Sequence, residues 1–491
     1  MYKLEFTLKQ HTPLIHFQHD QAGATLRATE VKPKLDQFIM KKLLNDPEIP
    51  DHKIKEEFLK RAKNPHDEIQ KKWASWLVGK GKNEHVALDY KISIIQKYNP
   101  FYFLITNRMT REQKNILQEN GIKYISDCPY FAQEKEITDM FSYDWIADQN
   151  GKKKKTAIDL VENWQEHISR WGILNSSEPG KEQKLYVSSL NVELRQTIAK
   201  WIAQFFAQEN FGLRQSKGFG CFTIQNKQEG DNYTIQDFED DLKQNFKFVF
   251  SKEIKYGSNI NTDDRRLSEI FRGIQSDYKL LKSGRNPVEK APYVKSKLFL
   301  YMLPNRWEKR FIKRQINSNP LTIIDKNEVE LKIKLKGVNP PVNNQDSSAW
   351  EDSEQFNYYF TRALLGLSDH YDFLAETSSS IKGKSYKYTV QVSSNDQIDR
   401  YKSPLTFKVY ENRIYIVGAD VNKELLNKSF EFVAKLKEDE KALRSPSKNL
   451  SSLKTPASFN LYDFMKSALS NKKDEKISNY RRIQPLPEQN I

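Results

Sequence analysis

The chain opens on a two-residue alternation, with Tyr2, Leu4, Phe6 and Leu8 on one side and Lys3, Glu5, Thr7 and Lys9 on the other. This is the period of a half-buried strand, because successive side chains of an extended chain point to opposite faces. Pro13 limits its regular extent. Beyond a loop carrying Gly23, Leu35, Phe38, Ile39 and Leu43 recur at helical spacing, with Pro33 suited to a first turn. Residues 51–83 are charged and contain Trp73, Trp76 and Leu77, which predicts a short helical insertion ending at the Gly79–Lys82 glycine/lysine run. Strands are expected at 86–95 and 101–106, and a polar, lysine-rich loop at Asn150–Lys155. Leu190, Leu194, Ile198, Trp201, Ile202 and Phe205 mark a long amphipathic helix with Ser189 as its cap, running into a glycine-rich turn and a strand at Cys221–Gln225.

The second half repeats the mixture. A polar, acidic stretch at Gln225–Asp241 reads as a junction, and strands are expected at 295–303, 329–335, 386–392, 405–410 and 413–418. Residues 441–491 combine Ser, Lys, Asn and Pro with one apolar patch, Phe459–Leu469, and read as a docking arm or disordered tail. Helices interspersed with non-adjacent strands, twice over, predict an α+β chain of two split βαβ sandwiches and not one doubly wound sheet. The expected domains are 1–235 and 236–440, followed by the tail.

Composition sharpens this. The 491 residues carry 79 Lys and Arg against 64 Asp and Glu, a formal charge of +15. Such a surplus suits a polyanionic partner, since Lys and Arg release counterions when they neutralise phosphates; a dispersed solubility charge is the alternative. Position favours the former, because residues 265–316 hold 14 Lys and Arg and four Asp and Glu, a net +10. Cys128 and Cys221 are the only cysteines, so neither a disulfide framework nor a Cys-rich zinc site is available, and a reducing cytoplasmic setting fits. The N-terminus is unlike a signal peptide and no apolar run approaches ~18 residues, so no membrane is expected. Phosphate-loop, H-E-x-x-H and G-x-S-x-G motifs are absent, and the Asp pairs at 240/241 and 263/264 read as solvated loop charge. No metal or other cofactor is expected.

Two segments carry chemistry. In Phe211–Phe222, Gly212, Gly218 and Gly220 permit positive φ and close backbone approach, Arg214 and Lys217 add charge, and Phe219 is placed to stack on a base. That loop suits a phosphodiester backbone, or is a sharp turn with incidental charge. In the second segment, Arg27, Lys32 and Lys34 cluster at the entry to a helix whose N-terminal N–H groups also favour an anion, with Glu30 suited to orient one of them. An ordinary charged loop is the alternative.

Together these segments resemble the RAMP superfamily, the RNA-binding subunits of CRISPR-associated complexes. The motifs are Thr12-Pro13-Leu14, Leu26-Arg27-Ala28-Thr29-Glu30-Val31-Lys32 and Ser216-Lys217-Gly218-Phe219-Gly220, in family order over residues 1–225. In the second half, Ser379–Lys384 and Arg400–Leu405 are similar to family segments, although 386–392 reads as strand where the family has helix. Ile15–His19 replaces the family's glycine-rich start. The resemblance implies two RAMP/ferredoxin-like, RRM-like domains. Size and layout are most similar to the first-named RAMP subunit of type III-B (Cmr) effector complexes, at the end bearing the guide RNA 3′ region. Its implied partners are guide RNA (crRNA), target RNA and other RAMP subunits, in antiviral defence.

RAMP-fold repeat-processing endonucleases use a histidine as general acid/base without metal, so a second reading places His16 and His19 at one phosphate, with Lys32 or Arg27 stabilising the oxyphosphorane. Polar loop histidines are the plainer reading, and zinc binding by His11, His16 and His19 lacks a fourth ligand. Arg306, Lys309, Arg310, Lys313 and Arg314 recur every three to four residues, so a helix there would show a basic face to nucleic acid or simply to solvent. The reading these features favour is a non-catalytic RNA-binding subunit.

Overall fold

The computed structural model describes residues 2–15, 25–81, 86–106, 108–128, 137–147, 151–168, 171–176, 178, 180–226, 230–255, 263–284, 294–302, 306–324, 330–335, 358–367, 370–376, 387–394, 401, 403–419, 421–437, 447–470 and 480–483. The fold is mixed α+β. It comprises two compact units, the first holding Met1–Ser276, Thr406–Val417 and Asn479–Ile491, the second Asp277–Leu405 and Gly418–Ser478.

The first unit is organised by β1 (Lys3–Gln10), α1 (Ala28–Leu44), β2 (Lys91–Ile95), β3 (Gln183–Ser188), α2 (Val192–Gln208) and β4 (Phe222–Ile224). The strands form one antiparallel sheet in the order β4-β1-β3-β2. Its register sets Leu4 opposite Val187 and Phe6 opposite Leu185, which in turn face Ile92 and Ile94. This apolar face packs with Leu35, Phe38 and Ile39 of α1 and Ile198, Ile202 and Phe205 of α2 in one buried cluster. The alternation at residues 2–9 therefore fixes the register, since a slip of one residue would turn Phe6 to solvent and Glu5 inward.

Local chemistry sets the helix ends. Asn191 caps α2, its Oδ1 accepting the Leu194 N–H at 2.9 Å. The expected cap, Ser189, instead donates to the Asp89 carbonyl at 2.7 Å. Pro33 lies inside α1, which begins earlier, at Ala28. The helical insertion is present as Ile54–Lys63 and Glu68–Trp76, clamped by Phe58 stacked on Trp73 at 4.6 Å.

Between β2 and β3 the chain builds the helix Arg111–Glu119 and most of a second four-stranded sheet, ordered Leu14–Ile15, Trp171–Leu174, Phe101–Ile105, Lys123–Ile125. It also forms a two-stranded hairpin of Phe141–Ala147 with Lys153–Leu160. The lysine run expected as loop is thus partly strand; both faces of its end of the hairpin are exposed, so no apolar alternation marks it. The expected junction contains the helix Ile235–Asn245, started by a Thr234–Asp237 capping box. Asp241 there is half-buried and accepts from Tyr233 Oη at 2.6 Å, so it is not loop charge. Asp263 and Asp264 open α3 (Asp263–Lys282). β5 (Leu405–Tyr410) and β6 (Arg413–Gly418) join Phe248–Glu253 and Arg481–Arg482 in a further sheet.

The second unit contains a five-stranded sheet ordered Lys334–Leu335, His370–Glu376, Lys387–Ser393, Ser429–Lys437, Ser447–Lys454, and the helix α4 (Glu308–Ser318). Residues 297–301, expected as strand, form a short helix in which Ser296 Oγ accepts the Phe299 N–H at 3.1 Å. The expected tail contributes the edge strand Ser447–Lys454 and the helix Leu461–Ser470, which buries Leu461, Phe464, Met465 and Ala468. Ser379–Lys384, Arg400 and Lys402 lie outside the described residues.

Candidate nucleic-acid interface

The β1–α1 and α2–β4 connections bring together three motifs, joining residues up to 209 positions apart in sequence. Thr12 Oγ1 accepts the Cys221 N–H at 3.0 Å, the Pro13 carbonyl accepts the Gly220 N–H at 2.9 Å, and the Ile15 carbonyl accepts the Leu213 N–H at 2.8 Å. From the helix entry, Glu30 accepts the Gly212 N–H at 2.7 Å. Lys34 Nζ donates to the Asn210 carbonyl at 2.8 Å and to Gln215 Oε1 at 3.1 Å, and lies 4.8 Å from the centre of the Phe211 ring. The glycine-rich loop is therefore fastened on both sides by the segments that resemble the family.

The glycines have backbone reasons. Gly212 sits at φ 75°, and a Cβ there would lie 2.6 Å from the Ile15 carbonyl oxygen. Gly220 sits at φ 63°, where a Cβ would meet the Phe211 carbonyl oxygen at 2.0 Å. Gly218, also at positive φ, packs on Ile274. Arg214 adopts φ 57°, a left-handed conformation in which a side chain is strained.

Two expectations change here. Phe219 is 0% exposed and stacks on Phe271 at 4.1 Å, so its ring belongs to the core and does not present a face to a base. The loop amides of Gly212, Leu213, Lys217, Gly218, Gly220 and Cys221 bond within the protein, so they are not a cradle for phosphate. Lys217 is 8% exposed. Lys32 turns away to Asp36 at 3.0 Å and the Leu88 carbonyl at 2.9 Å, beside the Tyr90 ring. Glu30 pairs with Lys34 at 3.8 Å. Arg27 at the start of α1 and Arg214 in the loop are both half-buried, three residues before Glu30 and two after Gly212.

Asn210 and Lys408 also belong to this junction, though no motif in the sequence singles them out. Lys408 is fully buried; its Nζ donates to the Glu209 carbonyl at 2.8 Å and Asn210 Oδ1 at 2.6 Å, where the C-terminal end of α2 favours a cation. Asn210 Nδ2 donates to the Gln215 and Phe407 carbonyls at 2.6 and 3.0 Å. The alternation of β5 places Lys408 on its polar side, and nothing local signals that this side is covered.

His11 is buried, its Nδ1 accepting the Glu411 N–H at 3.1 Å and its Nε2 bonding Thr223 Oγ1 at 2.9 Å. Burial, then the charges of Lys9, Arg266 and Lys408, hold its pKa well below the usual histidine range. Neutral and enclosed, it cannot reach a ribose. His16 and His19 lie outside the described residues.

The basic stretch 265–316 divides between the two units at residue 276. In the second, the expected basic helix is α4. Its first residue, Glu308, is buried and ion-paired with Arg362. Burial and then the Arg362 charge pull Lys309 down to about 8, and burial lowers Lys313. Lys309, Arg310 and Lys313 are half-buried, so this is not a simple solvated face; the Arg306 side chain lies outside the described residues.

Three motifs converge on this α+β scaffold, and comparison with known families shows the class, a RAMP protein of type III-B CRISPR systems. Residues 1–285 match the Cmr1 N-terminal domain and residues 293–485 the Cmr1 C-terminal domain. The chain belongs to the Cmr1 family and is a subunit of the multi-subunit type III-B Cmr effector complex, which contains crRNA. No curated protein and no solved structure matches it. Among the described residues, no helix is long and apolar enough to cross a membrane.

Proposed function

We propose that this chain is a non-catalytic, cytoplasmic RNA-binding subunit that contacts the guide RNA 3′ region and the guide–target duplex through the surface around the Glu30–Gly212 bond. The observation that carries this reading is the convergence of the helix entry and the glycine-rich loop, segments that each carry a half-buried arginine, Arg27 and Arg214. Phosphate contacts position such a protein, while base pairing between guide and target supplies the sequence. The order β4-β1-β3-β2, with helices after β1 and β3, supports a ferredoxin-like RAMP module in the first unit. Lys309, Arg310 and Lys313 of α4 supply a second basic contact.

The experiment is binding of labelled guide RNA to the purified chain in EDTA, followed by denaturing electrophoresis. Intact RNA, bound by the wild type and released by an Arg27→Ala/Arg214→Ala variant, supports the reading. Cleavage that is lost in a His16→Ala/His19→Ala variant replaces it with a repeat-processing endonuclease.

A further inference from the structure

The hairpin of Phe141–Ala147 and Lys153–Leu160 is anchored at its base and bare at its outer end. At the base Phe141 and Ala157 are buried with Leu117 and Met140, and Gln113 Nε2 donates to Tyr143 Oη at 3.1 Å. Further out the register sets Trp145 against Lys155, Ile146 against Lys154 and Ala147 against Lys153, and all six are exposed. Trp145 is 63% exposed and Ile146 47%. Alternation puts Tyr143 and Trp145 on one face, and Lys155 Nζ lies 5.0 Å from the Tyr143 ring centre. Trp and Tyr are enriched at interaction surfaces, and an indole this open on an ordered strand suits one.

The lysines identify the occupant. Cores of protein–protein interfaces are depleted in lysine, yet here each outer position of Phe141–Ala147 has a lysine directly across the ladder. An exposed ring on one strand faced by lysines on the other matches single-stranded nucleic acid, a base of which stacks on the ring while the flanking phosphates meet the ammonium groups. In a duplex the base faces are already stacked and are closed to Trp145.

We propose that this hairpin is a stacking platform for single-stranded RNA, with Trp145 taking a base and Lys153 and Lys155 the flanking phosphates. It rests on the RNA-binding reading above and extends it to a sequence-tolerant contact separate from the glycine-rich loop.

The test is fluorescence anisotropy of the full chain with a labelled uridine 12-mer and with an RNA duplex of equal length, alongside guide RNA. Trp145→Ala should weaken 12-mer binding about 10-fold or more. Trp145→Phe should stay within about threefold of wild type, and duplex binding should not change. Lys153→Glu/Lys155→Glu, at exposed positions, should weaken the 12-mer without lowering the thermal midpoint, which keeps the test open if Trp145→Ala misfolds. Equal 12-mer affinity in wild type, Trp145→Ala and the lysine variant overturns the platform while leaving the guide-RNA reading intact. Loss of complex assembly at unchanged 12-mer affinity overturns it in favour of a protein partner. If the wild type binds neither guide RNA nor the 12-mer, the RNA-binding reading fails first.

Discussion

The carboxylate of Glu30 accepts the backbone N–H of Gly212 at 2.7 Å, joining the first turn of α1 to the glycine-rich loop across 182 residues of sequence. A charge-assisted bond to an amide contributes about 1.5–3 kcal/mol when its partner would otherwise stay unsatisfied. Glu30→Ala should therefore lower unfolding stability by about 1–3 kcal/mol and weaken guide-RNA binding, because the loop loses its fastening. Chemical denaturation and RNA binding, measured on the same preparation, check both effects.

Gly220 makes a sharper demand. Its positive φ and the 2.0 Å approach of a Cβ to the Phe211 carbonyl oxygen leave no room for a side chain. Gly220→Ala should cost on the order of 3 kcal/mol or more, read as a fall in the denaturation midpoint. Gly230→Ala, where φ is also positive but a Cβ meets nothing within 4 Å, should cost less.

His11 gives stability a pH dependence. Its folded pKa lies below the unfolded value of 6.5, so the unfolded chain binds the proton more readily. The stability is present above pH 6.5 and is lost as pH falls toward the folded pKa. His11→Asn should start lower and lose this component of the slope, as a series of denaturation midpoints against pH would reveal.

Asp241 acts in the opposite direction. Burial raises its pKa from 3.8 to about 6, despite the hydrogen bond from Tyr233. The folded form then holds a proton that the unfolded form releases between about pH 4 and 6, so acidification through this window stabilises by up to about 1.4 kcal/mol per unit. That contribution is full below pH 3.8 and lost as pH rises through 6. Asp241→Asn should remove it, leaving the acid destabilisation from His11 more evident in the same midpoint series.

The parts of the fold that were legible in sequence are those with one buried face. Leu4, Phe6 and Leu8 in β1, and Ile198, Ile202 and Phe205 in α2, repeat at the period of their element because one side of each is covered. The outer lysines of the hairpin and the polar residues of Ser447–Lys454 have no such asymmetry, so no periodic pattern predicts their strands. Within the site, the motifs and their order were readable, but their meeting depends on sheet order, which no local pattern encodes. Phe219 shows the same limit: flanked by two glycines it reads as a presented ring, yet the loop turns it inward onto Phe271. Lys408, unremarkable in sequence, becomes the cation that holds Asn210 beneath the loop.

The measurement that bears most directly on the central claim is guide-RNA affinity of the purified chain against salt, for wild type and Arg27→Ala/Arg214→Ala. If the two arginines meet RNA phosphates, the variant binds more weakly and its plot of log affinity against log salt is shallower by about 1.4, at about 0.7 per single-strand phosphate. Superimposable wild-type and variant lines would contradict the account.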